Sequence, residues 1–174
     1  KKSLKADGVV DFQWSPAANI LAYWAPEQGN SPARVTLVEI PSRKELRQRN
    51  LVNVSDCSLY WHPDGVYLCV KVLRHTKSKK TIFSALELFR VDEPLVPVEI
   101  IEVKDPILAF AWEPNGGHRF AVIYQPEGAK CPDVAFYSML SADGKRKEVT
   151  KIHSLSHRPF NSLFWSPMGS GHIV

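Results

Sequence analysis

LAFAWEP, residues 108–114, is a short apolar run closing in Trp-x-Pro, and the figure occurs three more times: VDFQWSP at 10–16, CSLYWHP at 57–63 and NSLFWSP at 161–167. The tryptophans, Trp14, Trp61, Trp112 and Trp165, recur at intervals of about 50 residues, the period of a four-stranded propeller blade. Three of the prolines open a turn, in Pro63-Asp64-Gly65, Pro114-Asn115-Gly116 and Pro167-Met168-Gly169. Proline sets φ near −65° at the start of such a turn and glycine accepts a positive φ at its end, so each figure reads as the first strand of a hairpin.

Working outward, a second apolar run follows each of the first three figures, at Ile20 to Trp24, Tyr67 to Val72 and Arg119 to Tyr124. Third runs lie at Arg34 to Ile40, Phe83 to Arg90 and Asp133 to Met139, and more polar fourth runs at Glu45 to Asn50, Val98 to Val103 and Glu148 to Leu155. Weaker patterning in the fourth run suits an outer strand facing solvent. The expected fold is all-β: WD40-like four-stranded blades at about residues 8–50, 56–103 and 107–155, with a fourth starting at 161–174. All belong to one β-propeller domain over residues 1–174. A propeller closes its ring with ~4–8 blades, so some three and a half blades are expected to be an incomplete piece of a longer chain. The four repeated tryptophans are expected to pack between neighbouring blades, and Trp24, outside the repeat, to be the exposed one.

Composition agrees with a globular chain. The 174 residues are 44% hydrophobic and 23% charged, with 22 Lys+Arg against 18 Asp+Glu and a net charge of +4. Thirteen prolines disfavour long helices, and no stretch has the ~20 apolar residues of a membrane helix. The opening residues, KKSLKADGVV, lack the apolar core of a signal peptide, so an intracellular chain is expected. Cys57, Cys69 and Cys131 form no CxxC pair and read as buried or idle thiols. Asn53-Val54-Ser55 matches a glycosylation sequon that such a chain would not use.

Catalytic signatures are missing: no GxSxG, HExxH, GxxxxGK[ST] or GxGxxG. His153 and His157 have H-x3-H spacing but no upstream cysteine pair, so no metal site and no cofactor are expected. The inner runs offer one acid, Asp11, too little for acid–base chemistry in a central channel. What stands out is charge placement. Arg74, Lys77, Lys79 and Lys80 put four cations in seven residues between the second and third runs of the second blade. Lys145, Arg146 and Lys147, with Lys151 close by, follow the third run of the next blade, and Arg43-Lys44 with Arg47 and Arg49 are partly offset by Glu45. The first two clusters are expected on opposite faces. They are either solvated loops or contacts to RNA phosphates, which Lys and Arg bind without reading sequence.

DGVVDFQWSP, ILAYWAPEQGN, ARVTLVEIPSRKELRQRNLVNVSDCSLYW and FAWEPNGGHRFAVI resemble the propeller of the family of b subunits of eukaryotic translation initiation factor 3. The resemblance runs through the chain, with local departures at Ala17 to Asn19, Val91 to Pro97 and Pro126 to Pro132. It implies a nine-bladed propeller between an RNA-recognition-motif domain and a helical tail. It also implies a cytoplasmic, non-enzymatic scaffold with no small-molecule substrate and no membrane. Its partners would be the small (40S) ribosomal subunit, through ribosomal RNA and ribosomal protein, and subunits a, g and i of the same factor. Two alternatives stay open: a propeller that binds only proteins, and an enzymatic propeller.

Overall fold

The computed structural model describes residues 3–76, 81–141, 143–145, 147–156, 159–168 and 171–174. Twelve strands form among them: β1 (Asp11–Trp14), β2 (Ile20–Ala25), β3 (Ala33–Glu39), β4 (Glu45–Leu51), β5 (Val54–Trp61), β6 (Tyr67–His75), β7 (Ile82–Arg90), β8 (Val98–Val103), β9 (Ile107–Trp112), β10 (Arg119–Tyr124), β11 (Asp133–Ser138) and β12 (Thr150–Leu155). They make three four-stranded sheets, each an antiparallel meander in chain order, β1 to β4, β5 to β8 and β9 to β12. These are propeller blades. No helix among the described residues is long and apolar enough to cross a membrane.

The chain divides into two compact units, Lys1–Trp61 with Gly65–Glu102, and His62–Asp64 with Val103–Val174. In the first unit, two sheets share one core. Ala22, Trp24, Ala33, Val35, Leu37 and Leu51 come from the first sheet; Cys57, Leu59, Leu68, Val70, Val72 and Phe89 come from the second. Ala33, Val35 and Leu37 alternate along β3, so the pleat aims all three at one face. Burying each larger side chain contributes about 1.5–3 kcal/mol, the main attraction between the sheets. The outer strand β4, ELRQRNL, keeps most of its side chains at least partly in solvent.

Two devices tie these blades where the repeat recurs. Trp61 Nε1 donates to the Gln13 carbonyl at 3.3 Å, reaching the residue just before the preceding repeat tryptophan. Gly65, at φ 72°, lies so close to the turn after Trp14 that a Cβ there would sit 2.8 Å from Ser15 Oγ. Only glycine satisfies both demands. Ser15 Oγ in turn accepts from the amides of Ala17 and Ala18, capping its own turn.

The second unit holds the third sheet and a C-terminal hairpin. Phe110, Trp112, Phe120 and Tyr137 form an aromatic run with ring centroids 5.0–5.3 Å apart. The hairpin is closed by Phe164 and Val174, which exchange both backbone hydrogen bonds, and by Ser166 N donating to His172 O. Trp165 Nε1 donates to the Ala111 carbonyl at 3.1 Å, the same repeat position that Gln13 occupies.

Two expectations need correction. Trp24 is only 7% exposed, because its place in β2 aims the indole into the shared core. The strand expected to stop at Val72 runs on to His75: Leu73, Arg74 and His75 stay in register with Ser84, Phe83 and Ile82. Trp14 differs from its three counterparts in being 52% exposed on the edge strand β1.

Candidate functional site

Extension of β6 changes the setting of Arg74. Its Nη2 lies 2.5 Å from Oε1 of Glu87, a carboxylate with no solvent exposure, in the neighbouring strand β7. Arg49 of β4 reaches the other oxygen, Nε to Oε2, at 3.1 Å. One buried carboxylate thus bridges two guanidiniums from two blades of the same unit. Fully buried charges need such partners. Arg74, expected as a loop cation, is 16% exposed and already engaged by a carboxylate.

Lys77, Lys79 and Lys80 lie outside the described residues, as does Arg146. Lys145 and Lys147 are both exposed, in the connection from β11 to β12. An ordered turn precedes them. Ser141 Oγ and the Lys145 amide both donate to Asp143 Oδ1, at 2.5 and 3.1 Å, and Gly144 N donates to the Ser141 carbonyl. These hydrogen bonds, the one from Ser141 first, hold the Asp143 carboxyl below its usual range.

A second ionic arrangement holds the second unit. Arg119 Nε donates to Glu113 Oε2 at 2.7 Å and its Nη2 pairs with Oε1, while the guanidinium lies 5.7 Å from the centroid of the Trp165 ring. Beside it, His62 is fully buried: its Nδ1 accepts from the Asp64 amide at 3.1 Å, so Nε2 carries the proton and donates to the Gly117 carbonyl at 2.8 Å. Burial pushes this imidazole below its usual pKa. Asp64 Oδ2 accepts from the Gly116 amide at 2.6 Å.

Sequence reasoning singles out Arg74, Lys145 and Lys147 as site residues but not Glu87, Arg49, Glu113, Arg119 or His62, although for Glu87 one signal is present. A glutamate inside the apolar run FSALELF needs a buried counter-charge to be tolerated. Cys57 and Cys69 are buried, with burial pushing both thiols up and away from reactivity, while Cys131 is half-buried. Among the described residues no three His, Cys, Asp or Glu side chains come together as a metal site.

Residues 49–174 match the family model described as "Eukaryotic translation initiation factor eIF2A". Over its whole length the chain is 53% identical to the B subunit of eukaryotic translation initiation factor 3 from Arabidopsis thaliana, covering 25% of that protein. The Xenopus laevis protein of the same name is 47% identical over 97% of the chain, which covers 24% of it. The chain thus spans a quarter or less of these relatives. A solved structure described as "Crystal structure of the eukaryotic initiation factor" superposes with a TM-score of 0.70 at 21% identity, over 95% of this chain and 37% of that one. At that identity the likeness speaks for the fold alone. The chain belongs to the eukaryotic translation initiation factor eIF2A family, and its likeness to the B subunit of initiation factor 3 extends from end to end.

Proposed function

We propose that the chain is part of a non-catalytic propeller scaffold in translation initiation. It binds the small ribosomal subunit through basic loops and offers its remaining surfaces to partner subunits of initiation factor 3, among them a, g and i. The observation that carries this reading is 53% identity, over the whole chain, to a protein named as the B subunit of that factor. Its place of work is then the cytoplasm, where the small subunit is loaded. The exposure of Lys145, whose amide closes the turn on Asp143, and of Lys147 supports a phosphate-binding loop at 145–147. Lys77, Lys79 and Lys80 form the second candidate loop. Arg74 enters as the residue that secures the end of β6 through Glu87, with less of its charge left for phosphate.

The test uses the full-length protein carrying charge reversals at Lys77, Lys79 and Lys80, or at Lys145, Arg146 and Lys147. Small-subunit affinity is then measured over a salt series. Each lost phosphate contact flattens the log-affinity slope by ~0.7–0.9, so a three-residue reversal should change it by ~2–3. If both variants keep the parental slope and affinity, the RNA role of these loops is wrong. A module binding protein alone predicts that naked ribosomal RNA competes no better than heparin.

A further inference from the structure

The β7–β8 connection, Val91 to Pro97, holds two successive non-glycine residues in the left-handed region, Leu95 at φ 63° and Val96 at φ 46°. Glu93 O accepts from the Val96 amide at 3.1 Å, closing a turn with Pro94 second and Leu95 third. A positive φ at that third place is glycine's or asparagine's, and a β-branched residue such as Val96 tolerates the left-handed region worst of all. The conformation is nevertheless firmly fixed. Val96 is 5% exposed and packs in the core of the first unit. Arg90 N donates to Pro97 O at 3.0 Å and Val91 N to Val66 O at 2.9 Å. The buried Arg90 guanidinium pairs with Glu99 at 2.5 Å and lies 5.9 Å from the Tyr67 ring centroid.

All this holds one side chain outward: Leu95 is 84% exposed. An isolated surface leucine would mean little. Here it occupies a position where asparagine would suit both the backbone and the water better, on a loop that the core does not let relax. Breaking local rules inside an otherwise consistent fold marks functional positions. Pro94, Pro97 and Asp92 around it are exposed or partly exposed as well. We infer that the β7–β8 loop is a protein-docking knob, with Leu95 seated in an apolar pocket of a partner protein whose rim carries Lys or Arg facing Asp92. An RNA partner fits poorly, because leucine offers no stacking face and Asp92 repels phosphate.

The experiment places p-benzoylphenylalanine at position 95, and separately at Pro94, in the full-length protein, and irradiates it in cells. The result expected is one discrete crosslink, mapping to an apolar segment flanked by Lys or Arg in another protein. No discrete crosslink, a crosslink within the same chain, or one to RNA would overturn the inference. Leu95→Asn and Leu95→Gly supply the second measurement. Both should melt at or above the parental temperature, since they relieve the backbone, yet bind the crosslinked partner about tenfold or more weakly, as loss of a buried anchor does. Parental affinity in both variants would refute the knob even if a crosslink is found.

Discussion

Glu87→Gln is the most informative single change within the blades, since it keeps shape and removes charge. The carboxylate has no exposure and sits 3.1 Å from Arg49 and 2.5 Å from Arg74. Breaking a buried pair so that an uncompensated charge remains costs about 3–5 kcal/mol. The two arginines do not share that equally. Arg49 is 37% exposed, so solvent screens it and its pairing is worth no more than ~1 kcal/mol. Arg74, at 16%, is far less screened by water, and its Nε is buried with no hydrogen-bond partner among the described residues. The loss in Glu87→Gln should therefore be ~3 kcal/mol, at the low end because the amide oxygen still accepts one guanidinium bond. Arg74→Ala should cost ~2–3 kcal/mol and Arg49→Ala under ~1, with a coupling of ~1–3 between Arg74 and Glu87 in a double-mutant cycle. Urea unfolding followed by tryptophan emission reports on this unit through the buried Trp24. The midpoint should fall at unchanged m-value. A loss under ~1 kcal/mol for Glu87→Gln, or a larger loss for Arg49→Ala than for Arg74→Ala, would refute the reasoning.

Three further outcomes are expected. Trp165→Phe removes the bond to the Ala111 carbonyl and weakens the Arg119 cation–π contact, for ~1–2 kcal/mol by calorimetry; no change in melting would contradict the contact's role. His62 has a folded pKa below its usual 6.5, so the unfolded chain takes up the proton first. Stability contributed by the neutral ring is full above pH ~6.5 and declines as pH falls from there toward the folded pKa, by at most ~1.4 kcal/mol per pH unit. His62→Asn should lose that part of the pH dependence, and identical slopes for parent and variant between pH ~7.5 and ~5.5 would count against it. Gly117→Ala puts a Cβ 2.5 Å from Glu113 Cδ and Oε2, beside a residue only 4% exposed, and should cost ~1–3 kcal/mol, read by thermal melting.

Much of the fold is legible in the sequence because the repeat speaks several times over. Three of the four Trp-x-Pro figures, each followed by its apolar runs, locate β1, β5 and β9 and the strands that follow them, although each stretch alone is too short to separate strand from buried helix by pattern. Strand ends are less legible. β6 continues through Leu73, Arg74 and His75, whereas the apolar run read from the sequence stops at Val72, two residues short of Arg74, since the carboxylate that neutralises Arg74 lies 13 residues away in sequence and next to it in space. Trp24 escapes sequence reasoning for a related reason. The Ala25-Pro26 that follows it resembles a loop boundary, while the face of β2 that meets the core is fixed only once the second sheet is in place. The strained turn at Leu95 and Val96 is invisible, because nothing in EPLVP announces a left-handed leucine.

The proposed role is that this propeller segment holds the small ribosomal subunit through basic loops without doing chemistry. A near-atomic map of the full-length protein on the small subunit tests it most directly. If the proposal holds, Lys145, Arg146 and Lys147, or Lys77, Lys79 and Lys80, lie at N–O distances of ~2.7–3.2 Å from ribosomal RNA phosphates. Both loops in open solvent, or facing protein alone, would contradict it.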